Sequence, residues 1–255
     1  MIKTIIITGG TSGIGLDIAK YFYKKNYNIA IAGIIKNSLL NSLKKKFSNK
    51  KSLILNLDLI KRKNIKKFVF LSRKKFKRID VLINCAGRQH VAPLCNFSDK
   101  IWEYIISINL NTPFFMIKET LPIMRKNNWG RIINISSVHG SIASENKSGY
   151  VSSKHGLVGL TKVVALETAK ENITCNAIGP GFVMTELVKK QIKKLAKKDK
   201  IIFKKAEANL IKEKHPSKNF IKKNDVSSLV YYLTSDEASQ ITGSNLIIDG
   251  GWTAQ

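Results

Sequence analysis

The chain has 255 residues, 44% of them hydrophobic, and no long polar or Pro/Gly/Ser-rich interruption. A chain of that length buries about 70–75% of its unfolded surface in a single core, so one domain spanning 1–255 is expected. Met1 leads straight into the apolar "IIIT", with no signal-peptide h-region, and no apolar run approaches membrane-spanning length, which points to a soluble, cytoplasmic protein.

The formal net charge of +27 would attract nucleic acid, anionic lipid or an acidic protein. Its source argues otherwise. Only Arg62, Arg73, Arg78, Arg88, Arg125 and Arg131 are arginines; the excess is lysine, accompanied by many Ile and Asn, the signature of AT-rich coding. The runs "KKKFSNKK", "KRKNIKKF" and "KKLAKKDK" lack interleaved aromatics and Arg forks. They read as solvated outer faces of helices, with no specific nucleic acid and no membrane as partner. Cys85, Cys95 and Cys175 share no metal-ligand or CxxC spacing and sit in apolar stretches, so buried reduced thiols and no metal are expected.

In chain order, "IKTIIITG", "NIAIAGII", "SLILNLDL", "IDVLINCAG", "GRIINISS", "ITCNAIGPG" and "NLIIDGG" combine Ile, Val or Leu enrichment with Gly, Asp or Asn endings, and read as strands buried on both faces. Helix-period segments lie between them, among them Ile14 to Lys25, Ile60 to Lys77, Asn109 to Lys126 and Tyr150 to Lys170. This alternation predicts an α/β fold: a doubly wound, parallel, seven-stranded Rossmann-type sheet with right-handed crossovers. Residues 184–220 break the rhythm, helical without a preceding strand, and read as a lid inserted over the active-site edge.

Ligands of such sheets bind beyond the carboxyl ends of the strands. There "TGGTSGIG" offers Gly9, Gly13 and Gly15, which let the backbone turn and approach a pyrophosphate while the next helix presents free N–H groups. Asp58, past the third strand, has two readings: acceptor for an adenine amino group, or cap of the following helix.

Taken together, "TGxxxGIG" at Thr8 to Gly15, "NCAG" at Asn84 to Gly87, Asn109, the serines of "NISS", "YxxxK" at Tyr150 to Lys154 and "PG" at Pro180 to Gly181 resemble the short-chain dehydrogenase/reductase family over essentially the whole chain. The resemblance implies that Tyr150 is the general acid/base, Ser137 positions the substrate oxygen, Lys154 binds the nicotinamide ribose and lowers the tyrosine pKa, and Asn109 holds a relay water. It places the nucleotide against Gly9, Thr11, Ser12, Gly13, Ile14, Gly15, Ile34, Asp58, Leu59, Cys85, Ala86, Gly87, Tyr150, Lys154, Pro180, Gly181, Val183 and Thr185. Cys85 stands where the family usually has asparagine. A homotetramer is the assembly the resemblance implies.

The Tyr150–Lys154 spacing also carries a physical expectation. Tyrosine ordinarily titrates near pH 10, so serving as base near pH 7 needs roughly 4 kcal/mol of preference for phenolate. A lysine at i+4 on the same helical face, desolvated beside a cationic nicotinamide, supplies that preference where an exposed lysine does not.

Within the family, "AGRQHVAP", "SSVHGSIASENKSGY", "LVKKQI", "SDEASQITG" and "DGGWTAQ" resemble the bacterial branch acting on a small 3-hydroxy acid, (R)-3-hydroxybutyrate. That resemblance implies a carboxylate grip by Gln89, His139, Lys147 and Gln191, with Trp252 walling the site. Departures from the branch are Arg88 beside Gln89, Gly179 in place of Cys, Phe182 in place of Trp, and His215 where glutamine is common, which reads as surface drift. After the second strand, "AGIIKN" offers neither an acid for a ribose diol nor an arginine for a 2′-phosphate. Apolar Ile34 favours NAD, while Lys36 leaves a basic alternative. Two other readings stand beside NAD-linked hydroxy-acid oxidation: an NADPH-dependent 3-oxoacyl-carrier-protein reductase, and a non-catalytic nucleic-acid binder on the same fold.

Overall fold

The computed structural model of the protein describes residues 2–254, and the backbone of all of them. Seven strands, β1 (Thr4–Thr8), β2 (Asn28–Gly33), β3 (Ser52–Asn56), β4 (Val81–Asn84), β5 (Gly130–Ile135), β6 (Ile173–Pro180) and β7 (Asn245–Ile248), form one sheet in the order β3-β2-β1-β4-β5-β6-β7. Every pairing is parallel. The order reverses between β1 and β4, and the crevice at that switch point opens at the carboxyl ends of the strands, as expected for a doubly wound sheet.

All seven expected strands are present, each shorter than its expected segment, and Gly33, Asn56 and Asn84 are the last ladder residues of β2, β3 and β4. The expected helices appear as α1 (Gly13–Lys24), α3 (Arg62–Phe76), α5 (Thr112–Lys126) and α6 (Ser148–Glu167). Three more helices, α2 (Asn37–Lys46), α4 (Asp99–Ile106) and α9 (Lys223–Leu233), complete the layers. Helix α1 shows the packing logic. Gly15, Ile18, Ala19 and Phe22 recur at helical spacing and are buried against the sheet. Between α4 and α5 the chain winds as a π-helix over Ser107–Asn111, a rare bulge that turns Asn109 inward, fully buried.

The two faces of the sheet carry separate cores. One gathers Ile5, Ile7, Phe22, Ile31, Ile83 and Val226 beneath α1 and α9; the other gathers Ile6, Phe68, Leu82, Met116, Ile132 and Cys175 beneath α3 and α5. Residues 184–220 form two helices, α7 (Glu186–Lys198) and α8 (Phe203–Lys214), around a small core of their own built on Val188, Ile192, Ala206 and Leu210. That insertion is tied back where Val183 bridges Ile221 in parallel.

The lysine runs are exposed along α2, α3 and α7, with Lys51 the half-buried exception. Among the described residues there are only four ion pairs, Arg78–Asp80, Arg125–Glu171, Arg131–Asp236 and Lys189–Glu186, so most of the positive charge is hydrated rather than paired. Among those residues no helix is long and apolar enough to cross a membrane. The three cysteines are free, but only Cys175 is fully buried; Cys95 is exposed, because the turn Leu94–Asn96 runs over the surface. The apolar neighbours of Cys95 in sequence do not enclose it.

Candidate active site

A cleft of about 600 Å³ opens across the carboxyl ends of the central strands, and every residue expected at the nucleotide lines it. At one end the backbone is exposed by design of the sequence. Gly9 and Gly13 adopt φ of +68° and +55°, and a Cβ on Gly9 would lie 2.8 Å from Ala86 Cα. Ser12 precedes α1 without a side-chain capping bond, so the first-turn N–H groups keep their donors for a ligand. Thr8 Oγ1 accepts the N–H groups of Cys85 (3.0 Å) and Ala86 (3.1 Å), which holds the β4 turn against the β1 turn through backbone rather than through the Cys85 side chain. Burial pushes the Cys85 thiol up to about 11, so it stays protonated.

Asp58 lines the cleft, and its Oδ1 accepts the N–H of Ile60 at 3.2 Å. It does not cap α3, whose N-cap is Lys61. Ile34, 69% exposed, lines the cleft at the end of β2.

The catalytic candidates converge where β5 and α6 meet. Lys154 is buried, donates to the Ile135 carbonyl at 2.7 Å, and lies 5.6 Å from the Tyr150 ring centroid. Asn109 accepts the Arg88 N–H (2.8 Å), donates to the Arg88 carbonyl (2.9 Å) and to Ser153 Oγ (2.9 Å). It therefore fixes the chain next to Gln89 and the turn of α6 before Lys154, and does not itself line the cleft. Burial raises the Tyr150 pKa above the ordinary phenol value, and the hydrogen bond from Ser137 works against that rise. Burial also lowers Lys154 to about 8. The pair alone does not make a phenolate; a further positive charge in the cleft is required, the condition the Tyr–Lys spacing already set.

From Ser137 a chain of polar side chains runs outward. His139 Nδ1 is 3.3 Å from Ser137 Oγ, and His139 Nε2 is 2.8 Å from Ser144 Oγ and 3.4 Å from Lys147 Nζ. Burial, with Lys147 next in weight, holds His139 down to about 4, so the ring is neutral. An ammonium only donates, hence Nε2 is the acceptor and the proton sits on Nδ1. Nδ1–H then donates to Ser137 Oγ, leaving the serine proton free to point at Tyr150 or at a substrate oxygen.

Gln89, His139 and Trp252 line the cleft, and Lys147 reaches it through His139. Gln191 is not among the lining residues. Of helix α7, Glu186, Val188 and Lys190 line the cleft, while Gln191 is half-buried on the same helix without lining it. Arg88 is an exposed lining residue. Phe182 stacks on Trp252 at 5.1 Å and 24°, and Trp252 meets His139 edge-on at 5.6 Å. Lys214, at the end of α8, lies 5.9 Å from the Trp252 ring centroid; burial first and then this ammonium lower the pKa of Lys147, and Lys214 adds a smaller push in the same direction on His139. In a chain with so many lysines no spacing singled it out. His215 is fully buried and hydrogen-bonded on both ring nitrogens, which corrects its reading as surface drift: α8 delivers it beneath the loop after β6.

The family model for short chain dehydrogenases matches residues 3–196. The chain belongs to the short-chain dehydrogenase/reductase family. Two relatives of this oxidoreductase, each a D-beta-hydroxybutyrate dehydrogenase, match end to end: one from Rhizobium meliloti at 41% identity, covering 100% of both chains, and one from Cupriavidus necator at 40%, covering 99% of this chain and 98% of the relative. Among solved structures, an actinorhodin polyketide ketoreductase with NADPH superposes at TM-score 0.93 and 27% identity, covering 100% of this chain and 98% of that one. A 4-hydroxyisoleucine dehydrogenase complexed with NADH superposes at 0.81 and 33%, covering 99% of each. The open glycine turn, the uncapped start of α1 and the Cβ-free approach at Gly9 fit a nicotinamide dinucleotide in this short-chain dehydrogenase/reductase.

Proposed function

We propose that the protein oxidises (R)-3-hydroxybutyrate to acetoacetate, reversibly, with NAD as acceptor. The observation that carries the reading is the run from Ser137 through His139 to Lys147, in steps of 3.3 and 3.4 Å. A substrate whose hydroxyl sits at Ser137 and Tyr150 meets a neutral imidazole and then an ammonium a few ångströms away. That spacing suits an acid with its carboxylate on the carbon next but one to the hydroxyl, and Lys214 adds charge of the same sign.

When bound, NAD would supply the hydride-accepting carbon and, oxidised, a positive charge that would favour the Tyr150 phenolate. Lys154 orients the ribose and biases Tyr150 toward phenolate. Ser137 donates to the substrate oxygen, and Tyr150 takes the hydroxyl proton as the carbonyl forms. Asn109 holds the backbone at Arg88 and, through a water, links the pair to solvent. Phe182 and Trp252 stack over the reacting end and exclude water.

NAD is favoured over NADP because Ile34 lies in the cleft where a 2′-phosphate would need a cation. A homotetramer in the cytoplasm completes the reading, supported by exposed apolar residues on the outer faces of α5 and α6, Phe114, Val163 and Leu166. Steady-state assays of NAD and NADP against (R)- and (S)-3-hydroxybutyrate test the proposal. A higher kcat/KM with NADP, or turnover of a 3-oxoacyl thioester in preference to the free acid, would move the assignment to the reductase.

A further inference from the structure

His215 directly follows the last residue of α8, and its ring is enclosed completely. Nδ1–H donates to the Asn219 carbonyl at 2.9 Å, which leaves a lone pair on Nε2, and the Phe182 N–H donates to that lone pair at 3.0 Å. The ring lies nearly parallel to Phe182, at 5.7 Å and 21°, and 5.8 Å from Trp252. Two strand ends make room for it. A Cβ on Gly181, after β6, would fall 2.7 Å from Nε2, and one on Gly250, after β7, 3.2 Å from Nδ1.

We infer that His215 is a positioning residue: it pins the carboxyl end of the helical insertion to the loops after β6 and β7, and so sets the stacked wall of Phe182 and Trp252 against which the substrate lies. The inference rests on the assignment of that end of the cleft to the substrate. All three segments meet at this one side chain, and both polar atoms of the ring are spent on backbone groups rather than on a ligand.

The pin works only in the neutral Nδ1–H tautomer. A second proton would go to Nε2, where it would face the Phe182 N–H, donor against donor, and the bond would be lost. The charged and titratable groups around the ring are Asp249 past β7, which favours the proton, Lys214 on its own helix, and His139 and Lys147 beyond Trp252; the Gly181–Phe182 loop contributes none. Burial outweighs Asp249 and keeps the imidazole below its ordinary pKa.

Glutamine and leucine at this position separate the possibilities. His215→Gln reproduces both bonds without a titratable group, since its carbonyl accepts from Phe182 and its amide donates to Asn219. His215→Leu fills the space with neither bond. The expected result is that His215→Leu raises KM for (R)-3-hydroxybutyrate about tenfold or more, with NAD affinity changed less than about twofold, and that His215→Gln restores KM to within about threefold of wild type. The rise in KM on acidification should be smaller in His215→Gln than in wild type, His139 being common to both. A folded His215→Leu with unchanged KM, or a parallel loss of NAD affinity, would overturn the inference. Should the leucine variant not fold, nitrogen-15 NMR of histidine-labelled wild type decides: an Nδ1–H tautomer with a slowly exchanging Phe182 amide upholds the pin, and an Nε2–H tautomer or a freely exchanging amide removes it. Absence of turnover in the wild type itself would count against the substrate assignment, and the NMR result would then stand by itself for the pin.

Discussion

The two ends of the cleft are built from different materials. At the nucleotide end the working groups are backbone: the turn at Gly9 to Gly15, the free start of α1, and the β4 turn strapped to Thr8 by two N–H donors. At the end proposed for the substrate they are side chains, Ser137, His139, Lys147, Phe182, Trp252 and His215, brought from the turn after β5, from the start of α6, from the loops after β6 and β7, and from the far end of α8. Backbone geometry is set by where glycine permits the chain to go, and the turn at Cys85 is held through its own N–H on Thr8 rather than through its side chain. Side-chain recognition depends on several distant segments agreeing within an ångström, so single substitutions there should change specificity while leaving nucleotide affinity alone.

The largest effect is expected where the two ends meet. Tyr150→Phe removes the proton acceptor and should lower kcat by about 10²–10⁴-fold, with the nucleotide still bound; a fluorescence titration of NADH beside the turnover assay separates the two. If NADH binding disappears as well, the tyrosine belongs to the nucleotide end and the division drawn above is wrong.

Next comes Lys147→Ala, which should cost about ten- to a hundredfold in kcat/KM on 3-hydroxybutyrate and little on a neutral secondary alcohol of similar size. Equal losses on both alcohols would show Lys147 supporting α6 rather than a carboxylate. Gly9→Ala is the matching test of the backbone end. At φ +68°, with its Cβ 2.8 Å from Ala86 Cα, it should destabilise the fold by about 1–3 kcal/mol and weaken NADH binding, without altering the ratio of kcat/KM between acid and neutral alcohol.

Acid pH should loosen the side-chain end before the backbone end. His139 has a folded pKa of about 4 against an unfolded value of 6.5, so the unfolded chain takes up its proton first. Stability from this group is intact above pH 6.5 and is lost as the pH falls toward 4. Thermal unfolding across that window should show the decline, and His139→Gln should flatten it. The smallest change is expected for Gln191→Ala, within about threefold in KM, because Lys190 lines the cleft and Gln191 does not. A tenfold rise would mean that α7 turns and closes on the bound acid.

Much of this was legible in the residues themselves. Ile-rich runs read as strands of a parallel sheet because such runs satisfy burial on both faces, which holds for the inner strands, while the edge strands β3 and β7 are only partly covered. The glycine turn and the Tyr150–Lys154 pair are local: one follows β1 directly and the other spans a single helical turn, so short spacing carries their meaning. Helix α2 gave a weaker signal, since its only fully buried residue is Leu43 and the rest of its sequence reads as hydrated lysine and asparagine.

What spacing could not show is any contact whose partners lie far apart in the chain. His215 read as surface drift and nothing set Lys214 apart from the other lysines; only the packing of α7 on α8 over the sheet brings Lys214 toward Trp252 and buries His215 under Phe182. Whether Gln191 or Lys190 faces the cleft depends on the rotation of α7, which is set by Val188 and Ile192 seating in the insertion's own small core. The protonation order from Lys147 through His139 to Ser137 likewise follows from burial and from distances of 3.3–3.4 Å between side chains. Sequence determined the sheet, the nucleotide turn and the Tyr–Lys pair, because their chemistry is local or periodic. Tertiary structure decided the substrate end, because desolvation and hydrogen-bond geometry exist only once separate segments are packed together.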